Sequence, residues 1–308
     1  AKDFCPSSRS AGRSIAGLCD CRRDTEGGRK DEQAGIRIDR TRLSGGGSRA
    51  AARRSMRGQV DAEDRERYSR QIRLAQLGEA GQQRLLGSRA LVVGMGGLGS
   101  PAAMYLAAAG VGQLAICDFD RVEPSNLQRQ IIHRSTDIGE PKAFSALATL
   151  EDLNPRCEVT ALDWQLDDAE LLDEVRRAQV VLDCSDNFAT RFALNRACAE
   201  AGTALVCGAA IRMEGQIITL FPGAADSPCY QCLYPAELEA TETCALEGVL
   251  APLVGVIGSL QAAQAVMVLV GLGETLKGKL LLLDLVAMAW QEIRVPRNPE
   301  CPLCRQRV

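Results

Sequence analysis

A single histidine, His133, serves the whole 308-residue chain. Ser-His-Asp and Cys-His nucleophile mechanisms are therefore excluded unless His133 itself is the base. It follows Ile131-Ile132 and precedes Arg134, a setting that reads as a structural position beside a phosphate loop. No G-x-x-x-x-G-K-[ST] run occurs either, so phosphate is not held by a P-loop. No secretory leader pattern is apparent. Only one apolar run, Val249 to Leu272, is long enough to imitate a membrane span. Pro252, Gly255, Gly258, Gln261 and Gln264 interrupt it and no basic flank follows it, so it is expected to form a buried helix pair at a subunit interface and not to meet a membrane.

What is present points to a nucleotide. Leu91-Val92-Val93 is a β-branched apolar run, and Gly94, Gly96 and Gly99 follow with G-x-G-x-x-G spacing before a helix-like stretch, Pro101 to Ala109. A phosphate can approach bare backbone there and rest on the N–H groups of the helix start. Asp118 ends the next strand about 20 residues on, where a carboxylate accepts hydrogen bonds from ribose hydroxyls. Taken alone, that fingerprint also fits a nicotinamide or flavin enzyme, or plain glycine packing. Arg129 and Lys142 follow, with Asn126 and Gln128 before them. Two cations converging on one sheet edge suit a triphosphate, whose charge must be offset before its α-phosphorus is attacked. Either cation taken singly reads as a solvated surface charge, the usual fate of such residues. A third acidic station, Asp183, Ser185, Asp186 and Asn187, closes the apolar strand Val180-Val-Leu. Asp186 can hold Mg²⁺ against phosphate oxygens while Asn187 or Ser185 starts the following helix.

Of thirteen cysteines, Cys117, Cys184 and Cys207 sit singly in apolar strands and read as small buried hydrophobes in a reducing compartment. Cys229-Tyr-Gln-Cys232 and Cys301-Pro-Leu-Cys304 are different. Two C-x-x-C knuckles fit four-thiolate tetrahedral zinc, a structural metal with no open coordination position, in preference to a redox dithiol or unligated thiols. Their wide separation means that the ion would clip the chain's end onto a distant loop. Cys244, in Thr241-Glu-Thr-Cys-Ala-Leu, is a candidate nucleophile on a polar loop and equally an ordinary loop cysteine.

These motifs, with Gly208-Ala-Ala-Ile-Arg-Met-Glu-Gly-Gln216, closely resemble the MoeB/ThiF family, the bacterial relatives of ubiquitin-activating enzymes. The likeness runs from about Tyr68 to the C-terminus, and the 208–216 segment is more like the molybdenum-cofactor branch than the thiamine branch. The resemblance implies ATP-dependent adenylation of the C-terminal glycine carboxylate of a small ubiquitin-like sulfur carrier ending in Gly-Gly, with release of pyrophosphate. It further implies that Gly97 lies at the nucleotide turn and that Asp118 binds ribose. Asn126, Arg129 and Lys142 would hold phosphates, with Ser125, Leu127, Gln128 and Asn187 beside them, and Asp186 would bind Mg²⁺. Arg70, in Tyr68-Ser-Arg-Gln-Ile-Arg73, matches an arginine that the family supplies from the neighbouring subunit, which would require a homodimer. The bland reading of Arg70 is one more charge on an amphipathic helix. Cys244 falls where some relatives link covalently to their carrier.

Residues 1–60 carry fourteen Lys and Arg against seven Asp and Glu and one aromatic, Phe4. That basic Gly/Ser/Arg-rich segment is expected to be disordered. It could be a nucleic-acid tether or a transit peptide; because Met56 is followed directly by family-like sequence, an extension without function is preferred. Residues 61–308 are expected to form one adenylyltransferase domain of Rossmann-like, doubly wound α/β type. Strands are predicted near 90–94, 114–118, 156–161, 179–183, 204–207, 215–221, 279–285 and 288–294. The earlier ones alternate with helices and should be parallel, and the last four suggest an antiparallel extension. A cytoplasmic setting, without nucleic-acid or membrane partners, accords with the thiols. A Rossmann oxidoreductase binding NAD(P) or FAD, activation of a thiamine-pathway carrier, and a non-catalytic scaffold that only docks carriers are the alternatives.

Overall fold

The computed structural model describes residues 59–222, 224, 226–234 and 247–305. The basic leader up to residue 58 and the Cys244 loop lie outside them. A short helix, α1 (Ala62–Arg67), begins at Asp61, whose carboxylate accepts the Asp64 N–H in a reciprocal capping box. Arg156 then binds Asp61, Glu63 and the buried Asp64 together. Helices α2 (Ser69–Ile72) and α3 (Gly78–Leu86) lead into the sheet.

Eight strands form a single sheet in the order β3-β2-β1-β4-β5-β6-β7-β8. The parallel half comprises β1 (Arg89–Val93), β2 (Gln113–Cys117), β3 (Glu158–Leu162), β4 (Val180–Asp183) and β5 (Ala204–Ile211). Strands β6 (Glu214–Leu220), β7 (Lys279–Asp284) and β8 (Ala289–Arg294) continue it antiparallel. The expected mixed sheet is thus present, with one refinement. β5 belongs to both halves, parallel to β4 and antiparallel to β6, and it runs on to Ile211 because every one of its eight residues is buried.

Strand side chains point alternately to two apolar layers, the period-2 rule that places helices on both faces. Ala90, Val92, Leu114, Ile116 and Leu182 pack with α4 (Gly99–Ala109). Leu91, Val93, Ala115, Cys117 and Val181 pack with α6 (Asp168–Arg177) and α7 (Phe188–Ala201). The remaining helix of the parallel half is α5 (Lys142–Leu153). Each fully buried Leu or Val contributes on the order of 1.5–3 kcal/mol.

The apolar run near residue 250 forms one continuous helix, where a pair was expected. After the single turn α8 (Tyr230–Leu233), α9 spans Ala251–Val270 and stops at the left-handed Gly271. About half of its apolar window is buried, on α4 and the β5 and β6 strands. The glutamine that spoils it as a membrane span has a structural use. Gln261 is fully buried and its Nε2 donates to the carbonyls of Asp183, at 2.8 Å, and Val206, at 3.2 Å. The last described helix, α10 (Pro302–Arg305), carries Cys304.

Candidate active site

Strand order reverses at β1, where β2 lies on one side and β4 on the other. Ligands of open α/β sheets collect at that point, outside the carboxyl ends of the strands. A cavity of about 620 Å³ opens there. Its wall includes Gly97, Asp118, Arg129, Lys142, Asp186 and Asn187, drawn from five separate stretches of chain.

The turn between β1 and α4 is shaped by contacts that exclude side chains. Gly94 takes φ of +94° and any Cβ there would lie 2.6 Å from the Cys184 carbonyl oxygen. A Cβ on Gly99 would lie 1.8 Å from the Gly94 oxygen. Asp118 then clamps the turn from the neighbouring strand. Its Oδ2 accepts the Met95 N–H at 2.7 Å and its Oδ1 accepts the Asp120 N–H at 2.9 Å. Burial pushes the Asp118 carboxyl above the usual carboxylate range, while Lys142 and the two N–H groups oppose that shift. From the other side His133 holds the Met95 carbonyl through Nε2 at 2.9 Å and meets Ser145 Oγ through Nδ1 at 2.8 Å. His133 is therefore a support of the glycine turn, as its sequence setting implied.

The cations differ in how they are held. Lys142 is buried, and its Nζ is 2.9 Å from Asp120 Oδ2. Arg129 is half-buried on the cavity wall and donates from Nη1 to the Ser125 carbonyl at 3.1 Å. Ser125, Asn126, Leu127 and Gln128 do not line the cavity but make the turn that presents Arg129. The Asn126 carbonyl accepts the N–H groups of Arg129 and Gln130, Leu127 is half-buried and Gln128 is exposed. On the third side Asp186 is exposed to the cavity. Asn187 caps α7 by accepting the Thr190 N–H at 2.8 Å, and Ser185 donates to Asp183 Oδ1 at 2.6 Å. Arg70 is exposed on α2 and is not part of this wall.

Sequence reasoning passed over three residues here. Asp120 anchors Lys142; Gln130 is buried on the wall, and its Oε1 has no hydrogen-bond partner among the described residues. Arg191 is buried, donates to the carbonyl of Ser185 beside Asp186, and also lines the cavity. The first two stand in motifs that were noticed, two residues after Asp118 and one after Arg129. Arg191 sits in an ordinary helical stretch and has no local signal.

Some distance along the chain, Cys229, Cys232, Cys301 and Cys304 converge, with all four Sγ atoms within 4.8 Å of one another. The closest approaches are 3.6 Å for Cys229–Cys301 and for Cys232–Cys304, and 3.9 Å for Cys229–Cys232. Metal–sulfur bonds of about 2.3 Å in a tetrahedron give sulfur–sulfur edges of about 3.8 Å, so the donor set and its spacing fit a thiolate-bound ion. Cys232 also receives the N–H groups of Cys229 and Asn298, at 3.5 and 3.4 Å. With the Cys229 thiol they favour its thiolate and draw it below the usual thiol range.

Comparison with known proteins follows the same lines. A family profile described as the ThiF family matches residues 68–303. The chain is 48% identical over 240 residues to molybdopterin-synthase adenylyltransferase of Escherichia coli (strain K12), covering 78% of this chain and 96% of that one. It is 45% identical over 238 residues to the sulfur carrier protein ThiS adenylyltransferase of the same organism, covering 77% and 94%. Among solved structures, E. coli MccB with MccA-N7isoASN superposes with a TM-score of 0.68 at 21% identity, over 80% of this chain and 76% of that one. That last likeness concerns the fold alone.

Burial lowers His133 from its ordinary 6.5. As pH falls the unfolded chain takes up this proton before the folded one does, so stability is lost from about pH 6.5 down to the lower folded value. Melting temperature should therefore fall between about pH 7.5 and about pH 5.5, and His133→Gln, which keeps an N–H for Met95, should flatten that slope. Identical slopes in the two proteins would remove His133 from the account.

Proposed function

The chain belongs to the ThiF family, and from that premise we propose that the cavity binds ATP and adenylates the C-terminal glycine carboxylate of a small ubiquitin-like sulfur carrier. The observation that carries the reading is the gathering of Asp118, Arg129, Lys142 and Asp186 around one cavity at the glycine turn. A carboxylate is a poor electrophile until its oxygen can leave, and AMP makes it a leaving group. One carrier oxygen attacks the α-phosphorus, the bond to the β-phosphate oxygen breaks, and pyrophosphate departs. The charge that builds on the phosphates in that step is what fixed cations stabilise.

Each residue then has a physical task. The backbone of the turn at Gly97 meets the phosphates where the α4 dipole is positive. Asp118 accepts from the ribose hydroxyls. Arg129 and Lys142 offset the polyphosphate, with Asn126 and its neighbours Ser125, Leu127 and Gln128 holding the Arg129 turn. Asp186, free of the capping duty that Asn187 performs, is the carboxylate for Mg²⁺, which when bound would neutralise phosphate charge. A nicotinamide dinucleotide would leave this concentration of cations without a use, which weighs against the oxidoreductase reading. A scaffold that merely docks carriers has no need of them either. Between carriers, the higher identity to the molybdopterin-synthase enzyme and the 208–216 segment favour molybdenum cofactor biosynthesis over the thiamine pathway.

The four-cysteine centre is read as zinc, for which all-thiolate tetrahedra are characteristic. Arg70 is read as serving the cavity of a second copy, and the uncovered apolar part of α9 supports a homodimer. None of the nine cysteines in the described residues is in a disulfide, in keeping with a reducing cytoplasm.

With a Gly-Gly-ended carrier, the protein should catalyse exchange of pyrophosphate into ATP, and Arg129→Ala should slow that exchange by about 100-fold or more. No exchange in the unaltered protein, or an unchanged rate in the variant, rejects adenylation by this site. Arg70→Ala and Lys142→Ala homodimers should each be inactive, while subunits mixed through refolding should recover about a quarter of full activity, as expected for sites completed across a two-fold interface. Absence of recovery argues that Arg70 acts within its own subunit or not at all. Cys301→Ser should lower bound zinc and melting temperature together, the latter by roughly 10 °C; full zinc occupancy with unchanged melting contradicts the assignment.

A further inference from the structure

Arg191 has no task in the chemistry above, yet it is 1% exposed and the bulkiest fully buried side chain among the described residues. Its Nη2 donates to the Ser185 carbonyl at 2.7 Å and to the Gly208 carbonyl at 3.2 Å. Its Nη1 donates to the Tyr230 hydroxyl oxygen at 3.4 Å. Ser185 immediately precedes Asp186, and Tyr230 immediately follows Cys229. One guanidinium therefore touches both the peptide that presents the Mg²⁺ carboxylate and the residue adjoining a ligand of the cysteine centre.

The two ends of this relay are themselves held. The Tyr230 N–H donates to Asn195 Oδ1 at 2.8 Å, one turn beyond Arg191 on α7. Its ring meets Phe192 edge-on, with centroids 5.6 Å apart. At the other end Asp183 Oδ1 accepts both the N–H and the hydroxyl of Ser185, at 3.1 and 2.6 Å. The backbone of Ser185 is thus gripped at its N–H by Asp183 and at its carbonyl by Arg191, which leaves little freedom in where the next residue starts.

We propose that Arg191 is a positioning residue that ties the four-cysteine centre to Asp186 through Tyr230, so that the metal centre helps to aim the Mg²⁺ carboxylate as well as to stabilise the fold. The inference rests on the nucleotide reading of the cavity. A lysine could not reproduce the contact, because an ammonium is a point donor where the planar guanidinium spans three acceptors at once. Displacements of about 1 Å in a positioning group can cost about 100-fold in rate, so a relay of this kind has something to control.

The test uses the full chain with its metal bound, as the unaltered protein, Arg191→Lys and Tyr230→Phe. Zinc content and melting temperature are recorded, and ATP binding without carrier is titrated against Mg²⁺. The Mg²⁺ concentration giving half-maximal ATP binding should rise about tenfold in Arg191→Lys and about threefold in Tyr230→Phe, with zinc content full and ATP affinity restored at saturating Mg²⁺. If Arg191 only satisfies buried carbonyls, melting falls while the Mg²⁺ dependence of the folded, zinc-loaded variants matches the unaltered protein, and the proposal is overturned. Should Arg191→Lys not fold, Tyr230→Phe, which keeps the ring and removes one acceptor, decides by the same criterion. An unaltered protein that binds no ATP at any Mg²⁺ concentration overturns the cavity reading itself, a result distinct from normal binding with unshifted variants.

Discussion

The Asp118 carboxylate bridging the backbone at Met95 and Asp120 is the interaction on which the candidate site depends. It joins two neighbouring parallel strands just beyond their last paired residues, Val93 and Cys117, where the backbone would otherwise be free to diverge. The glycine turn can lie close to the Cys184 carbonyl only because no side chain intervenes. That proximity brings the end of β4, and with it Asp186, to the same cavity as the turn. A larger residue at Gly94 would separate the turn from the β4 loop before it altered any contact to a ligand.

The clamp also explains the balance of charge. Asp118 is half-buried, and desolvation makes its ionised form more expensive. Lys142 eases that cost, and Lys142 is itself buried against Asp120. The acid, the base and the second acid are thus mutually dependent, with Asp120 exposed on the solvent side of the buried Lys142. Arg129 contrasts with them, since its contact is to a main-chain carbonyl and it retains more freedom to follow a phosphate. Within one cavity the sequence motifs therefore yield a rigid cation and a more adaptable one.

Much of this was legible before any coordinates. The β-branched runs at Leu91-Val92-Val93 and Val180-Val-Leu marked two of the central strands, and glycine spacing with Asp118 marked the crevice between their ends. The two C-x-x-C pairs disclosed their convergence across 72 residues, because thiolate spacing is a local code. What could not be read depended on tertiary packing. Gly255 and Gly258 look like helix breaks in isolation, but α9 passes through both under the constraint of its neighbours. Gln261 looks like a polar interruption, although its buried amide binds the carbonyls of two strand residues. Arg191 was missed for the same reason: besides the nearby Ser185 carbonyl it reaches Gly208 and Tyr230 in later segments, and nothing in the helix sequence announces them.

The β7–β8 hairpin shows what a metal at the four cysteines would add where apolar burial is weak. In β8 five of six residues are exposed, so the strand is held to the sheet chiefly by its ladder to β7 and adds little to either apolar layer. A chain end leaving such an edge has little hydrophobic energy to fix its path. Four thiolates on one ion would solve this by closing a long loop with a few strong bonds, and closure cost grows only slowly with loop length. A metal held by the four cysteines would lie near Tyr230, whose ring belongs to the apolar layer of α7. Such a metal would fasten the segment after β8 to the same core that supports the loop carrying Asp186, and the contacts of Arg191 with Tyr230 and with the Ser185 carbonyl show how a restraint there would reach the cavity through packed side chains without a shared ligand.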